Sequence, residues 1–214
     1  MSARPLIVTD CDEVLLHMVV PFGAWLADDH DILFRMEDAS FGNALKRRSC
    51  GTPLEAAEVW PLLDSFFTHE MHRQRPIEGA LPALLRLAHD ADVVVLTNVG
   101  PDHQQRRVEQ LQALGVDLPV IGSRGPKGPR VAELIAQYRP SVALFIDDLP
   151  QHHASVAEHA PDCWRLHMVG EPAIADKLPP APHAHARIDH WRDAGRWIAA
   201  RLGLPAPILE QEPA

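Results

Sequence analysis

The sequence has 214 residues, a length that admits one large domain or a core carrying a small inserted one. Hydrophobic residues make up 46% and charged residues 23%, enough apolar material for a packed core and the wrong composition for a disordered chain. A net charge of -9 weighs against a nucleic-acid polymer as partner, because such binding depends on Lys and Arg displacing counterions from phosphates; a small anionic ligand would need a local cation.

The chain opens with Met1-Ser2-Ala3-Arg4-Pro5 and passes straight into a short apolar run that ends in acid, unlike a signal peptide with its longer apolar region and cleavage site. The longest apolar stretches are too short to span a bilayer, so a cytoplasmic location without a membrane partner is expected. Cys11, Cys50 and Cys163 are too few and too scattered for a disulfide framework or a zinc site, which favours a reducing compartment.

Taken in chain order, apolar runs predict strands over residues 6–9, 93–97 and 142–147, with weaker ones over 118–121, 163–167 and 186–188. Helical spacing predicts helices over 81–88, 102–114, 129–138 and 151–159. Alternation of this kind predicts an α/β protein with a doubly wound, mainly parallel sheet. Residues 17–78 break the rhythm: no strand is predicted there, and helices are expected over 21–28, 54–63 and 64–73. This segment reads as a helical cap inserted into a core formed by 1–16 and 79–205, with 206–214 as a Pro-rich, frayed tail.

The first predicted strand runs directly into Asp10-Cys11-Asp12. If the chain stays extended, both carboxylates face one side at the carboxyl end of a strand, where open α/β sheets bind ligands. A polar turn after a strand would look the same. The third strong strand ends likewise in Asp147-Asp148, which would also suit a helix N-cap. Two unit charges about 4 Å apart repel by about 4 kcal/mol at an effective dielectric of about 20, so four converging carboxylates favour a bound cation. Oxygen ligands fit Mg²⁺ better than zinc or copper. The strand over 93–97 ends in Thr97-Asn98, ahead of Gly100-Pro101 and a helix, which is a phosphate-binding arrangement. Lys127 lies in the loop Gly125-Pro126-Lys127-Gly128-Pro129, where an ammonium could neutralise an acid or a phosphate oxygen. Alone, Thr97 reads as structural and Lys127 as a solvated loop residue.

In sequence, Asp-x-Asp, a strand ending in Thr, a Lys, and a strand ending in Asp-Asp resemble the four motifs of the haloacid dehalogenase superfamily over residues 4–165. The intervals between 97, 127 and 147 each hold one helix–strand unit. The resemblance implies a Mg²⁺-dependent phosphate-monoester hydrolase, a phosphatase acting through an aspartyl-phosphate, with a C1-type cap. It implies Asp10 as nucleophile and Asp12 as general acid/base, whose surroundings must raise its pKa for the first step. It implies Thr97, the N–H of Asn98 and Lys127 as phosphate-holding groups, with Lys127 also neutralising charge. For the metal it implies Asp10, the backbone carbonyl of Asp12, Asp147 and Asp148. One departure is Glu13-Val14, since the family usually has a Gly after the second Asp, and Gly permits unusual backbone angles. An acid at Asp12 argues against the dehalogenase branch.

A cap implies a small phosphorylated metabolite as the partner. Phe66-Phe67 ahead of Pro76-Ile77-Glu78-Gly79, with the Asp-Asp motif, is weakly similar to the 5'-deoxyribonucleotidases, which places nucleoside monophosphates ahead of sugar phosphates. Phe22, Trp25, Phe34, Phe41, Trp60, Phe66 and Phe67 would stack a base or, more plainly, form the core of the cap. Lys46-Arg47-Arg48 reads as a solvated run rather than a second anion site. His69, His72, His152, His153, His183 and His185 read as surface or cap-contact residues rather than zinc ligands. Cys11 is expected to point away from both acids and pack as an apolar group. Two other functions fit the same motifs: a non-catalytic phosphate- or partner-binding protein, and a phosphotransferase or mutase.

Overall fold

A computed structural model describes residues 3–35 and 44–205; the predicted tail and Phe41 lie outside the described residues. Six strands form one sheet: β1 (Leu6–Thr9), β4 (Asp92–Thr97), β5 (Val120–Gly122), β6 (Ala143–Asp147), β7 (Trp164–His167) and β8 (Ala186–Arg187). Their order is β5-β4-β1-β6-β7-β8, and every pairing is parallel. The architecture is thus α/β with a doubly wound sheet, as the alternation of elements predicts.

Between their polar ends the central strands are apolar because helices cover both faces. Alternation along each strand decides which face a side chain meets. Ile7, Val93, Val95, Leu144 and Ile146 pack with α3 (Ala80–Ala88), α4 (Gln104–Ala113) and α8 (Trp191–Leu202). Leu6, Val8, Val94, Leu96 and Phe145 pack with α5 (Gly128–Tyr138) and α6 (Pro150–His159). Helix α8 is an addition to the predicted elements. Trp191, Ala194, Ile198 and Leu202 bury one helical face, but Gly195 and four charged residues dilute the pattern in the sequence. The Trp191 indole donates to the Val14 carbonyl at 2.7 Å, tying this last helix to the loop after β1.

Residues 17–78 hold α1 (Val19–Asp29), β2 (Ile32–Phe34), β3 (Leu45–Arg47), α2 (Ala56–His69) and a 3-10 turn at Met71–Arg73. The segment is mainly helical, but β2 and β3 form an antiparallel pair that corrects the expectation of no strand. Strands of three residues are too short for a period-two signal, and these depend on burial of Ile32 and Leu45 among the helices. The helices expected over 54–63 and 64–73 are one helix followed by the 3-10 turn. A short α7 (Pro172–Ala175) follows β7, and no helix among the described residues is long and apolar enough to cross a membrane.

Phe22, Trp25, Phe66 and Phe67 are buried together, so these aromatics form the segment's own core rather than an open stacking surface. Among the described residues, Trp60 alone of its large aromatics is well exposed, at 63%. Arg47 pairs with Glu58 and Arg48 with Asp31, so the basic run is spent largely within the segment.

Candidate active site

Because β4, β1 and β6 are neighbours, the residues that follow or end them meet at one sheet rim. The Asp10 N–H still bonds the Ile146 carbonyl at 2.8 Å, fixing Asp10 beside the end of β6. The Lys127 ammonium lies 2.9 Å from Asp10 Oδ1 and 2.7 Å from Asp147 Oδ2, and all three side chains are buried. Asp10 Oδ1 also accepts the Cys11 N–H at 2.7 Å, and Asp147 Oδ1 accepts the Leu149 N–H at 2.9 Å. Lys127 is held in place by packing of the next residue. Gly128 abuts α6 so closely that a Cβ there would lie 2.2 Å from the Ser155 carbonyl oxygen, while its N–H bonds Ser155 Oγ at 3.0 Å.

Carboxylate oxygens of Asp10, Asp147 and Asp148 lie within 4.8 Å of one another. Three carboxylates against one ammonium leave two negative charges, which a divalent cation would balance; the all-oxygen donor set suits a hard ion such as Mg²⁺. The proton affinities express the same excess. Burial raises the Asp10 carboxyl to about 7; Lys127 opposes this, while Asp147 and Asp12 add to it. Burial also raises Asp148, with Asp147 and Asp10 adding to it. Burial would raise Asp147 too, but Lys127, aided by His152 and His153, holds it below the usual carboxylate value. Burial would lower Lys127, yet Asp10 and Asp147 outweigh it and raise the ammonium.

Thr97 ends β4 beside this group. It is fully buried, and its Oγ1 has no hydrogen-bond partner among the described residues. Buried hydroxyls are rarely left so, and a ligand oxygen is the natural complement. The Asn98 side chain faces elsewhere: Ser123 Oγ donates to its Oδ1 at 2.9 Å, and its amide nitrogen reaches the Gly125 carbonyl and His152 Nε2, each at 3.2 Å. His152 and His153 are buried, which corrects their reading as surface or cap-contact residues. His153 and His167 place Nε2 2.9 and 2.8 Å from the carbonyl oxygens of Asp147 and Asp148 and so fix the backbone of the acidic pair. Burial lowers the pKa of His153 to about 4 and also lowers that of His167, keeping both rings neutral donors. His69, His72, His183 and His185 are exposed.

Asp12 does not join the other three. The chain stops being extended at Cys11, whose carbonyl accepts the N–H groups of Leu15 and Leu16, and the Asp12 carboxylate turns toward α4. There one guanidinium nitrogen of Arg107 lies 2.8 and 2.9 Å from its two oxygens, and Gln74 Nε2 donates to it at 2.7 Å. Arg107 is fully buried. Its other terminal nitrogen donates to Gln74, Gln110 and the Cys11 sulfur, and the cation stands 5.6 Å from the centre of the Phe67 ring. Cys11 is buried in the core as expected, and burial pushes its thiol up to about 12. Sequence reasoning missed Arg107, since Arg106 and Arg107 look alike in a polar helix.

Glu13 occupies the left-handed region, with φ 59°, as the usual Gly of that position would. Its buried Oε1 accepts the N–H groups of Met18 and Val19 at 2.8 and 2.6 Å, so the acid caps the start of α1. Such a favourable contact offsets the roughly 1 kcal/mol or more of backbone strain expected there. Burial raises the Glu13 carboxyl to about 7 against those two hydrogen bonds. A groove of about 520 Å³ along Val19, Gly23, Phe34, Arg35, Ile174 and Lys177 includes none of Asp10, Asp12, Thr97, Lys127, Asp147 and Asp148.

No protein-family model matches the sequence, and no curated protein does. Solved structures do match in fold. A haloacid dehalogenase-like family hydrolase from Streptococcus pneumoniae superposes with a TM-score of 0.60 at 12% identity, covering 92% of this chain and 100% of that one. A predicted phosphatase from Clostridium acetobutylicum gives 0.64 at 14% identity, over 93% and 100%. A HAD family hydrolase from Deinococcus radiodurans R1, solved with bound phosphate and sodium, gives 0.57 at 14%, over 97% and 100%. The chain therefore has the haloacid dehalogenase-like fold.

Proposed function

We propose, from this fold and from the groups gathered at its sheet rim, that the protein hydrolyses small phosphate monoesters with Asp10 as nucleophile. The observation that carries the reading is Lys127 placed between Asp10 and Asp147, with Asp148 alongside. A dedicated, buried ammonium between two acids is a costly arrangement for structure alone, and it suits a site where a phosphate and a cation exchange places with water.

Asp10, Asp147 and Asp148, with the Asp12 carbonyl, would hold Mg²⁺, whose bound charge would offset that of the phosphoryl oxygens. Asp10 Oδ1 is already fixed by Lys127 and Cys11, so Oδ2 is the attacking atom. It forms a bond to phosphorus as the bond to the leaving oxygen breaks, and Asp12 gives that oxygen a proton. In the second step Asp12 takes a proton from water, which attacks the aspartyl-phosphate and frees Asp10 and inorganic phosphate. Thr97 Oγ1 and the Asn98 N–H bind the phosphoryl oxygens, and Lys127 stabilises the charge on them. The segment 17–78 serves as a cap that limits substrates to small metabolites; nucleoside monophosphates stand ahead of sugar phosphates on the motif resemblance alone.

A second reading, a non-catalytic phosphate-binding protein, is favoured by one observation: the Asp12 carboxylate is occupied by Arg107 and Gln74. Phosphate release from an aryl phosphate and a panel of nucleotides and sugar phosphates, with Mg²⁺ or chelator, decides between them. Mg²⁺-dependent turnover lost in Asp10→Asn supports hydrolysis; binding of phosphate without turnover by folded protein supports the alternative.

A further inference from the structure

A second group of metal-binding character lies where the chain leaves β1 for the inserted segment. One carboxylate oxygen of Glu13, a ring nitrogen of His17 and one carboxylate oxygen of Glu171 lie within 4.8 Å of one another. None of these residues belongs to the Asp10 group. They come from three different places: the loop after β1, the residue leading toward α1, and the N-cap of α7. Backbone contacts fix them together, since the Gly170 N–H bonds the Glu13 carbonyl at 2.7 Å and the His17 N–H bonds the Arg75 carbonyl at 2.9 Å.

Local hydrogen bonds use only part of this group. Glu13 Oε1 takes two backbone N–H groups and Glu171 Oε1 takes the Ala173 N–H at 2.9 Å. Glu13 Oε2 is buried with no hydrogen-bond partner among the described residues, in a side chain only 2% exposed. His17 Nδ1 lies 2.9 Å from Glu171 Oε2, yet that approach does not meet hydrogen-bond geometry and the nitrogen is likewise without a hydrogen bond. Unused oxygen and nitrogen atoms of two carboxylates and an imidazole thus converge on one place, with Glu13 Oε2 and His17 Nδ1 buried and without a hydrogen bond among the described residues. A cation is the complement that such a donor set lacks.

We propose that Glu13, His17 and Glu171 form a second cation site, separate from the Asp10 group, for a divalent ion of the zinc class. A ring nitrogen beside two carboxylates suits zinc, whereas Mg²⁺ prefers oxygen alone. Partial exposure of the His17 side chain, 23%, gives the ion a way in. Bound there, the ion would join the outgoing linker at His17 to the core at Glu171, next to the returning strand of chain at Arg75.

The test is zinc titration of the full chain under excess Mg²⁺, by calorimetry, with anomalous diffraction at the zinc edge to locate the ion. One zinc equivalent that persists under Mg²⁺, scatters between Glu13, His17 and Glu171, and is lost in His17→Ala and Glu171→Gln is the expected result. Asp147→Asn, which alters only the other group, should keep that equivalent. No zinc uptake, zinc found only at Asp10, Asp147 and Asp148, or uptake unchanged in folded His17→Ala and Glu171→Gln would each overturn the proposal. If a variant does not fold, by far-UV circular dichroism, the anomalous peak in the native protein decides alone.

Discussion

Arg107 grips Asp12 through one guanidinium nitrogen, 2.8 and 2.9 Å from its two carboxylate oxygens, while the neighbouring nitrogen holds Gln74 at 3.1 Å. Gln74 follows the 3-10 turn at Met71–Arg73, and Phe67 of α2 lies against the same cation. Asp12 is thus connected to the last part of residues 17–78. If Asp12 is to exchange protons with a leaving oxygen, this ion pair must open.

Replacing Arg107 by Ala should therefore cost stability, because a buried cation is lost and its carboxylate left behind. Removing one partner of such a pair typically costs about 3–5 kcal/mol, and the partial exposure of Asp12 puts the expected loss at about 3 kcal/mol. Denaturant unfolding measures it. Arg107→Lys should recover only part, since an ammonium cannot reproduce the planar donor set that also reaches Gln74 and Gln110. A loss under about 1 kcal/mol would show that the pair is not formed in solution.

The stabilising effect of Mg²⁺ should grow with pH. Asp10 and Asp148 have folded-state pKa values raised above their ordinary ones, so without metal they hold protons that the unfolded chain has given up. Their contribution to stability is full below about pH 4 and is lost as pH rises toward about 7. A cation needs them deprotonated, so it restores what is lost and competes with protons below that range. His153, lowered to about 4, works in the opposite sense over part of this window, but it does so with or without metal. The Mg²⁺-induced rise in Tm should be larger at pH 8 than at pH 5, as differential scanning fluorimetry would read; equal rises would contradict the placement of the ion.

Thr97→Val removes the orphaned hydroxyl while keeping its shape. Because Oγ1 has no partner among the described residues to lose, Tm should stay the same or rise, whereas inorganic phosphate should bind at least about tenfold more weakly. Isothermal titration with phosphate separates the two effects. Unchanged phosphate affinity would assign the hydroxyl a purely structural place.

Gly128→Ala should destabilise by about 1–3 kcal/mol, because its methyl would meet the Ser155 backbone and force α5 and α6 apart. Lys127 would move with α5. A shift in the urea midpoint without change of slope is the expected reading; no shift would mean that the helices relax freely there.

Much of the rim was readable because a parallel sheet turns linear order into geometry. Three apolar runs that each ended in polar chemistry had to bring Asp10, Thr97 and Asp147 close together once β1 lay between β4 and β6, and Lys127 belonged to the connection between two of them. What escaped notice had no such pattern. Arg107 takes its importance from the turn at Cys11 that swings Asp12 away from Asp10, and no local signal reports where a side chain goes after a turn. The burial of His152 and His153 has no local signal, because a polar ring becomes buriable only once a distant partner is waiting for it, here the Asp147 carbonyl for His153 and the Asn98 amide for His152. In Glu13 the residue type opposed the backbone, and only the Met18 and Val19 N–H groups explain why an acid stands in a glycine's place. Helix α8 had a legible apolar face, diluted by Gly195.

The sheet order also sets a timetable. β1 is made before both of its sheet partners, β4 and β6, yet it lies between them in the middle of the sheet. Until residue 147 has emerged, Leu6-Ile7-Val8-Thr9 has no complete place to go. Non-local pairing of this kind is slow, and an unpaired apolar strand invites association with other chains in the meantime. The arrangement that brings the acids together thus makes the nascent chain dependent on protection of β1 until β6 has been made.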